Sequence, residues 1–283
     1  MSLTAPEPVP PVLAARHGLL EGPCAIEGGI AFSDVIAGGV WHLGADGQVR
    51  SLLERRRGIG GLAAVAGGGL AVTGRDLSVL RDGELSIWHA DPGVTGFNDL
   101  TASPAGDVLL GALRYRPLAG EDPVPGDLRW VAADGTWQTL ADDLIWPNGI
   151  AVTGGGTILV SDYHRRCVMA YPAEGGAGEV FFELADGNPD GVALDAEGAL
   201  WVAGGPSGSL VRVLADGTVG AVVDVPARFV SSLCFAGPAL DEVFITTADN
   251  LATPDTGGTL FRARAEVPGA PLPAVAQPPA ARR

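Results

Sequence analysis

Lysine is absent from this chain, and all 18 basic residues are arginine. Against 33 acidic residues this leaves a net charge of −15, which argues against nucleic acid or an anionic membrane as partner. Cysteine is scarce. Cys24, Cys167 and Cys234 are odd in number and far apart, so they read as buried small hydrophobes in a reducing compartment, not as a disulfide frame or a zinc site. No apolar run approaches the roughly 20 residues that span a bilayer. Met1–Pro11 has neither a basic n-region nor an apolar h-region, so no secretory signal is expected and the location is read as cytoplasmic. Helical periodicity is hard to find anywhere.

What is present is apolar and turn-rich. Hydrophobic residues make up 47% and charged residues only 18%, enough for a buried core and unlike a disordered chain. The 42 glycines and 22 prolines point to many turns. No linker interrupts the middle, so 15–265 reads as one domain. It lies between a flexible N-terminal segment, 1–14, with packing along the barrel as its alternative, and a Pro/Ala-rich flexible tail, 266–283.

Short β-type segments repeat along that domain. Asp46-Gly47, Asp82-Gly83, Asp134-Gly135 and Asp216-Gly217 each separate two strand-like runs, as tight hairpin turns do. A second kind of turn comes one hairpin earlier, at Ser103–Gly106, Gly154–Gly156 and Asp195–Gly198. The unit is therefore polar motif, strand, turn, strand, loop, strand, Asp-Gly turn, strand. Units start near 21, 60, 98, 148, 190 and 231, a period of about 40 to 50 residues that matches a four-stranded propeller blade. The fold expected is an all-β, six-bladed β-propeller with four-stranded blades. A pair of β-sandwiches is the alternative, but it does not explain why the same corner of each repeat stays polar.

Four of those corners carry oxygen-bearing motifs: Glu21-Gly22-Pro23, Phe97-Asn98-Asp99, Pro147-Asn148-Gly149 and Pro189-Asp190-Gly191. Read singly, Asn148 and Asp190 are turn residues and Glu21 is a surface residue. Read together, Glu21, Asn98, Asn148 and Asp190 offer two carboxylates and two amides at the corners of successive repeats. Such an oxygen-only set suits a hard or borderline divalent cation on a propeller axis.

This ordered set resembles the SMP-30/gluconolactonase/luciferin-regenerating-enzyme-like family over roughly residues 15 to 265. The resemblance implies a six-bladed propeller with one divalent metal in the central channel, which is calcium, zinc, manganese, magnesium or iron(II) in different members. It implies Glu21, Asn148 and Asp190 as metal ligands, and Asn98 beside the metal as ligand or substrate contact, with Asp99 next to it. It also implies hydrolysis of sugar lactones. The chemistry is consistent: a dication stabilises charge building on a carbonyl oxygen, and a carboxylate such as Asp190, with Asp99 as second candidate, orients water and takes its proton.

Three features depart from the family pattern. Cys24-Ala25-Ile26-Glu27 follows Glu-Gly-Pro where an aromatic and an acidic residue are usual. Gly96 stands where lactonase members often carry an arginine. A long Pro-rich insertion, 114–126, reads as a lid over the channel mouth. Arg114, Tyr115 and Trp146 are candidate substrate contacts for a flatter, less hydroxylated ring. His164, within Ser161-Asp162-Tyr163-His164-Arg165, is a candidate substrate or proton-transfer residue, and Asp162 a candidate for support behind the ligands. Ser161 lacks nucleophile partners, no Gly-x-Ser-x-Gly elbow occurs, and Gly67-Gly68-Gly69 is a hairpin turn.

The leading function is thus a metal-dependent lactone hydrolase acting on a small molecule, as a monomer or weak homo-oligomer. Two other readings stand beside it: a metal-dependent cyclase or isomerase of a secondary metabolite, and a non-enzymatic binding propeller with a structural ion.

Overall fold

The computed structural model describes residues 3–13, 17–251 and 257–278. The described residues form six four-stranded antiparallel sheets, arranged as a six-bladed β-propeller. The helical pieces among them are single turns at Pro10–Leu13 and Pro117–Ala119. The inner strands are Leu20–Ile26, Leu62–Ala64, Gly96–Ala102, Pro147–Val152, Val192–Leu194 and Val230–Ala236. Each touches the next, and the sixth touches the first, which closes the ring.

The core is not one mass but six layers, one between each pair of neighbouring blades. Blades one and two share Ala31, Val40, Leu62 and Val72. Blades three and four share Leu128, Leu144, Val160 and Met169. Outer strands bury only one face, as the alternation in Val219–Asp224 shows, so their sequences alternate while the second strands are apolar on both faces. Each fully buried Val, Leu or Phe contributes about 1.5–3 kcal/mol.

The Asp-Gly turns join third and fourth strands as expected. Gly47, Gly83, Gly135 and Gly217 hold φ between 75° and 85°, and Asp46, Asp134 and Asp216 accept the amide two residues on at 2.9–3.0 Å. These turns and those between first and second strands lie on the lower face. The inner strands begin on the upper face. Gly96 pairs with Leu113, which puts the start of that inner strand beside the root of the 114–126 insertion.

The sequence points to flexible ends, whereas the described parts of both are bonded to the ring. Among the described residues blade six has three strands between Val230 and Arg264, and Glu7–Pro8 supplies the fourth, with Glu7 opposite Arg262. Pro8 is tolerated there because the strand is an edge. At the other end, Gly269 N donates to Leu240 O at 2.8 Å and Ala270 N to Leu194 O at 2.9 Å, on blades six and five. Val275 N donates to Ala64 O at 2.8 Å and Ala276 N to Gly106 O at 2.6 Å, on blades two and three. Those blade pairs are opposite in a ring of six. Residues 271–274 therefore span the lower mouth, a reach of about 17 Å for the five steps of extended chain from Ala270 to Val275. Val275 is fully buried at the far end. No helix among the described residues is long and apolar enough to cross a membrane.

Candidate metal centre and channel mouth

Four inner strands slip register where they begin. The ladder shifts between Glu21 and Cys24, Phe97 and Leu100, Pro147 and Ile150, and Val230 and Ser232. Such bulges release residues from strand pairing and re-aim them. Three of the four carry the polar motifs: Asn98 and Asn148 fall inside the shifts, Glu21 stands at the edge of one and still pairs with Ser33, and Asp190 keeps a backbone bond to Ala203 O of its own blade at 2.8 Å.

What the strands lose in ladder bonds they regain around the axis. Thr73 Oγ1 donates to Asn98 O. Asn98 Nδ2 donates to Pro147 O at 3.0 Å, Gly149 N to Asp190 O at 3.2 Å and Gly191 N to Ser231 O at 2.8 Å. Ser231 Oγ donates to Leu20 O at 2.6 Å, and Ser33 Oγ to Ile59 O at 2.7 Å. These six links join blade two to three, three to four, and so on back to two. They form a closed girdle at the upper end of the channel.

The girdle explains the glycines. The sequence reading gives Gly149 and Gly191 to tight turns, but neither has positive φ. A Cβ on Gly191 would lie 2.0 Å from Ser232 Oγ, and one on Gly149 2.5 Å from Val192 N. Neighbouring inner strands approach too closely for any side chain. Gly60 and Gly61 play the same part in blade two, against Asn98 Oδ1 and Asp99 Oδ1. Ser231, Ser232, Thr73 and this glycine pair were not candidates; their signal is that they occupy the same corner of repeats two and six.

Within the girdle the carboxylates act on one another. Burial raises the Glu21 pKa well above its usual value, and the charges of Asp190 and Asp99 raise it further. Asp190 is raised by burial and by Asp99, with the Asn148 amide opposing. Burial pushes Asp99 up to about 7, against the pull of the Leu100 N–H at 2.7 Å. Asp190 is 2% exposed, and its Oδ1 is buried without a hydrogen-bond partner. Buried carboxylates with no basic neighbour are costly unless a proton or cation joins them. The structure thus brings Glu21, Asn98, Asp99, Asn148 and Asp190 together. Among the described residues no group of three or more His, Cys, Asp or Glu side chains is placed to hold a metal ion by itself. An oxygen-rich, negatively charged pocket with an orphaned carboxylate oxygen fits a divalent cation.

The mouth beside it is aromatic. Trp146, directly before Pro147-Asn148, packs on Tyr163 with ring centroids 4.5 Å apart and meets Tyr115 edge-on at 6.4 Å. Asp162 is buried and accepts the backbone N–H of Ile145 at 2.9 Å and of Trp146 at 3.3 Å, so it fixes the approach to Asn148. Tyr163 was not a candidate, yet burial and the charges of Asp190 and Glu21 push its phenol up to about 12, which places it near the carboxylates. Its neighbour His164 is exposed in the same turn. Arg114 is half-exposed and grips Asp127 at 2.9 and 3.0 Å. The insertion is exposed over 118–125 and is closed on itself by Arg116 and Glu121 at 2.9 Å.

Comparison with known proteins agrees with this architecture. The family described as SMP-30/gluconolactonase/LRE-like region matches residues 19–249. A 6-deoxy-6-sulfogluconolactonase of Pseudomonas putida is 30% identical over 86% of this chain and 89% of its own length. A pentonolactonase of Haloferax volcanii is 34% identical over 62% of this chain, a match that spans 65% of that relative. Among solved structures, the calcium-binding protein regucalcin of Agrobacterium tumefaciens superimposes with a TM-score of 0.80 at 23% identity, over 96% of this chain and 97% of its own.

Proposed function

This chain belongs to the SMP-30/gluconolactonase/LRE-like family, and from that premise we propose that it hydrolyses a small-molecule lactone with the aid of one divalent cation. The observation that carries the reading is the unpartnered Asp190 Oδ1, buried among carboxylates that no basic side chain offsets. Glu21, Asn98, Asn148 and Asp190 would hold the ion through oxygen; calcium, zinc, manganese, magnesium and iron(II) all take such donors. When bound, the ion would polarise a lactone carbonyl and make water more acidic.

The chain's own residues supply the rest. Asp190 is fixed by its backbone bonds to Ala203 and Gly149, so its carboxylate is pre-set to orient a water and accept its proton. Asp99, whose carboxyl burial holds up to about 7 without an ion, is the second carboxylate that would take up a proton from water. Asn98, with its N–H committed to Pro147, keeps Oδ1 for the ion or the substrate. Trp146, packed on Tyr163 and met edge-on by the buried Tyr115, offers an aromatic face to the ring, while Arg114 and His164 stand exposed at the mouth. The substrate is a sugar lactone or a less hydroxylated ring. The protein is read as working in the cytoplasm, where its three free cysteines stay reduced, and as a monomer or weak homo-oligomer.

The test is hydrolysis of a lactone panel, from gluconolactone and xylonolactone to unsubstituted and aromatic rings, by chelated protein with each divalent ion added back. Restored acid release on any member supports the reading; ion binding without turnover on any ring counts against it. The aromatic wall favours one other reading, a non-hydrolytic cyclisation or isomerisation. Product carrying ¹⁸O from labelled water would exclude that for the substrate tested.

A further inference from the structure

Arginine is used economically in this acidic protein. Almost every described arginine donates to an acceptor: Arg129 and Arg212 bind buried aspartates, Arg81 and Arg166 bind backbone carbonyls, and the exposed ones pair with surface carboxylates. Three make no hydrogen bond or ion pair among the described residues: Arg55, Arg57 and Arg75. All three are exposed, and all three lie in one place.

That place is the upper corner between blades one and two. Residues 55–58 connect these blades and lie on the upper loop of blade one, with Gly39 N donating to Arg56 O and Gly58 N to Val35 O, both at 2.9 Å. Arg56 crosses to blade two and binds Asp76 Oδ1 at 2.7 Å. Arg75 adjoins Asp76 in sequence and acts on it only through space. Asp76 is therefore already matched by Arg56, and none of Arg55, Arg57 and Arg75 makes an ion pair among the described residues, although Glu54 precedes Arg55 in sequence.

The corner borders the channel. Gly74, next to Arg75, exchanges backbone hydrogen bonds with Phe97 at 2.6 and 3.1 Å. A Cβ on Gly96 would stand 3.9 Å from Arg75 Cα, so Arg75 starts beside the strand that carries Asn98. Arg57 is three residues before Gly60, at most about 10 Å of chain, and Gly60 lies against Asn98 Oδ1. Arg55 stands further out, directly after the outermost strand of blade one, Val49–Glu54.

We propose that Arg55, Arg57 and Arg75 recognise an anionic oxyacid group, a carboxylate, sulfonate or phosphate, carried by the substrate. The inference rests on the lactonase reading for the reaction and adds the substrate's charge. A net charge of −15 repels anions at long range. A local cluster of unpaired guanidinium groups reverses the field at the mouth and captures them there.

The test compares gluconolactone with lactones of the same ring that carry a carboxylate, a sulfonate or a phosphate at the terminal carbon. Wild type is expected to prefer a charged ring, and the arm with the highest kcat/KM names the group. The triple variant Arg55→Gln/Arg57→Gln/Arg75→Gln is expected to lower the charged-to-neutral ratio of kcat/KM about tenfold, through KM. Raising salt should produce the same loss in wild type. A ratio unchanged by both overturns the proposal. If no lactone is turned over, the hydrolase reading fails, and the patch is then judged by calorimetry with inorganic phosphate. Salt-sensitive binding that the triple variant loses upholds it; equal binding by both proteins, or none, overturns it.

Discussion

The upper and lower faces of the ring are ends of the same strands, yet they are built by opposite rules. On the lower face Asp46, Asp134 and Asp216 cap their own turns, Arg81 Nη2 is left without a partner, and the C-terminal segment ties blades five and six to blades two and three. On the upper face inner strands give up ladder bonds, bulge, and bond to the next blade instead. That leaves Asp190 Oδ1, Tyr115 Oη and Ser161 Oγ buried without partners, and Arg55, Arg57 and Arg75 exposed without an ion pair. The lower face is finished for stability, while the upper face is left incomplete in a way that a cation and a substrate can complete.

The sharpest way to break this contrast is Asp190→Asn. If the upper face trades stability for binding, this change should abolish metal binding and turnover. It should also raise the melting temperature of the chelated protein, because it removes a charge that Glu21 feels. Ion titration and thermal melts of chelated samples check both. A lower melting temperature would show that Asp190 has a folding role of its own.

The lower face should respond in the other direction. Val275→Asp puts a carboxylate where exposure is 0%, in the layer with Val65 and Leu110. A loss of about 3 kcal/mol in denaturant unfolding is expected, with the metal site otherwise intact. An unfolding midpoint like that of wild type would mean the strap is only laid on the ring.

The third contrast is in pH. Glu21, Asp99 and Asp190 have folded pKa values above their unfolded ones, all raised by burial. The folded chelated protein then binds more protons than the unfolded chain above about pH 4, so its stability falls as pH rises, with the Asp99 part lost through about pH 7. His89, held low by burial and by Arg129, opposes this below about pH 6.5. Asp34, Asp76 and Asp91 are held low and titrate beneath the window. Added cation should reverse the slope, since it binds the deprotonated cluster. Melts from pH 5 to 8 with and without ion read the sign directly, and Asp99→Asn should flatten the chelated curve.

The blades were legible in the sequence because Asp-Gly turns and alternating strands are local devices that each repeat spells out. Glu21, Asn98, Asn148 and Asp190 were legible because the repeat puts one corner of each blade on the axis. Less legible was whatever depends on contact between blades. Ser231 and Thr73 complete the girdle with side chains that look like ordinary strand residues. Gly149 and Gly191 look like turn glycines, yet they are required by strands brought together from distant parts of the chain. Residues 266–278 have the composition of a loose tail, and their order comes from carbonyls and amides that other blades present and from the burial of Val275 between blades two and three.

The smallest expected effect tests how side chains are assigned at the mouth. Sequence alone favours His164, whereas the structure exposes it and turns Tyr163 toward Asp190 and Glu21 beneath Trp146. His164→Ala should shift stability by less than about 0.5 kcal/mol and leave KM within about twofold, if the residue is only solvated. Tyr163→Ala removes the packing under Trp146 and should raise KM about tenfold with a smaller change in kcat, because a loosened wall weakens binding before it disturbs the carboxylates. The reverse pattern, with His164 carrying the KM effect, would mean that the turn at 163–166 folds over the bound ring. The mouth would then be shaped by the substrate and not set in advance by Asp162.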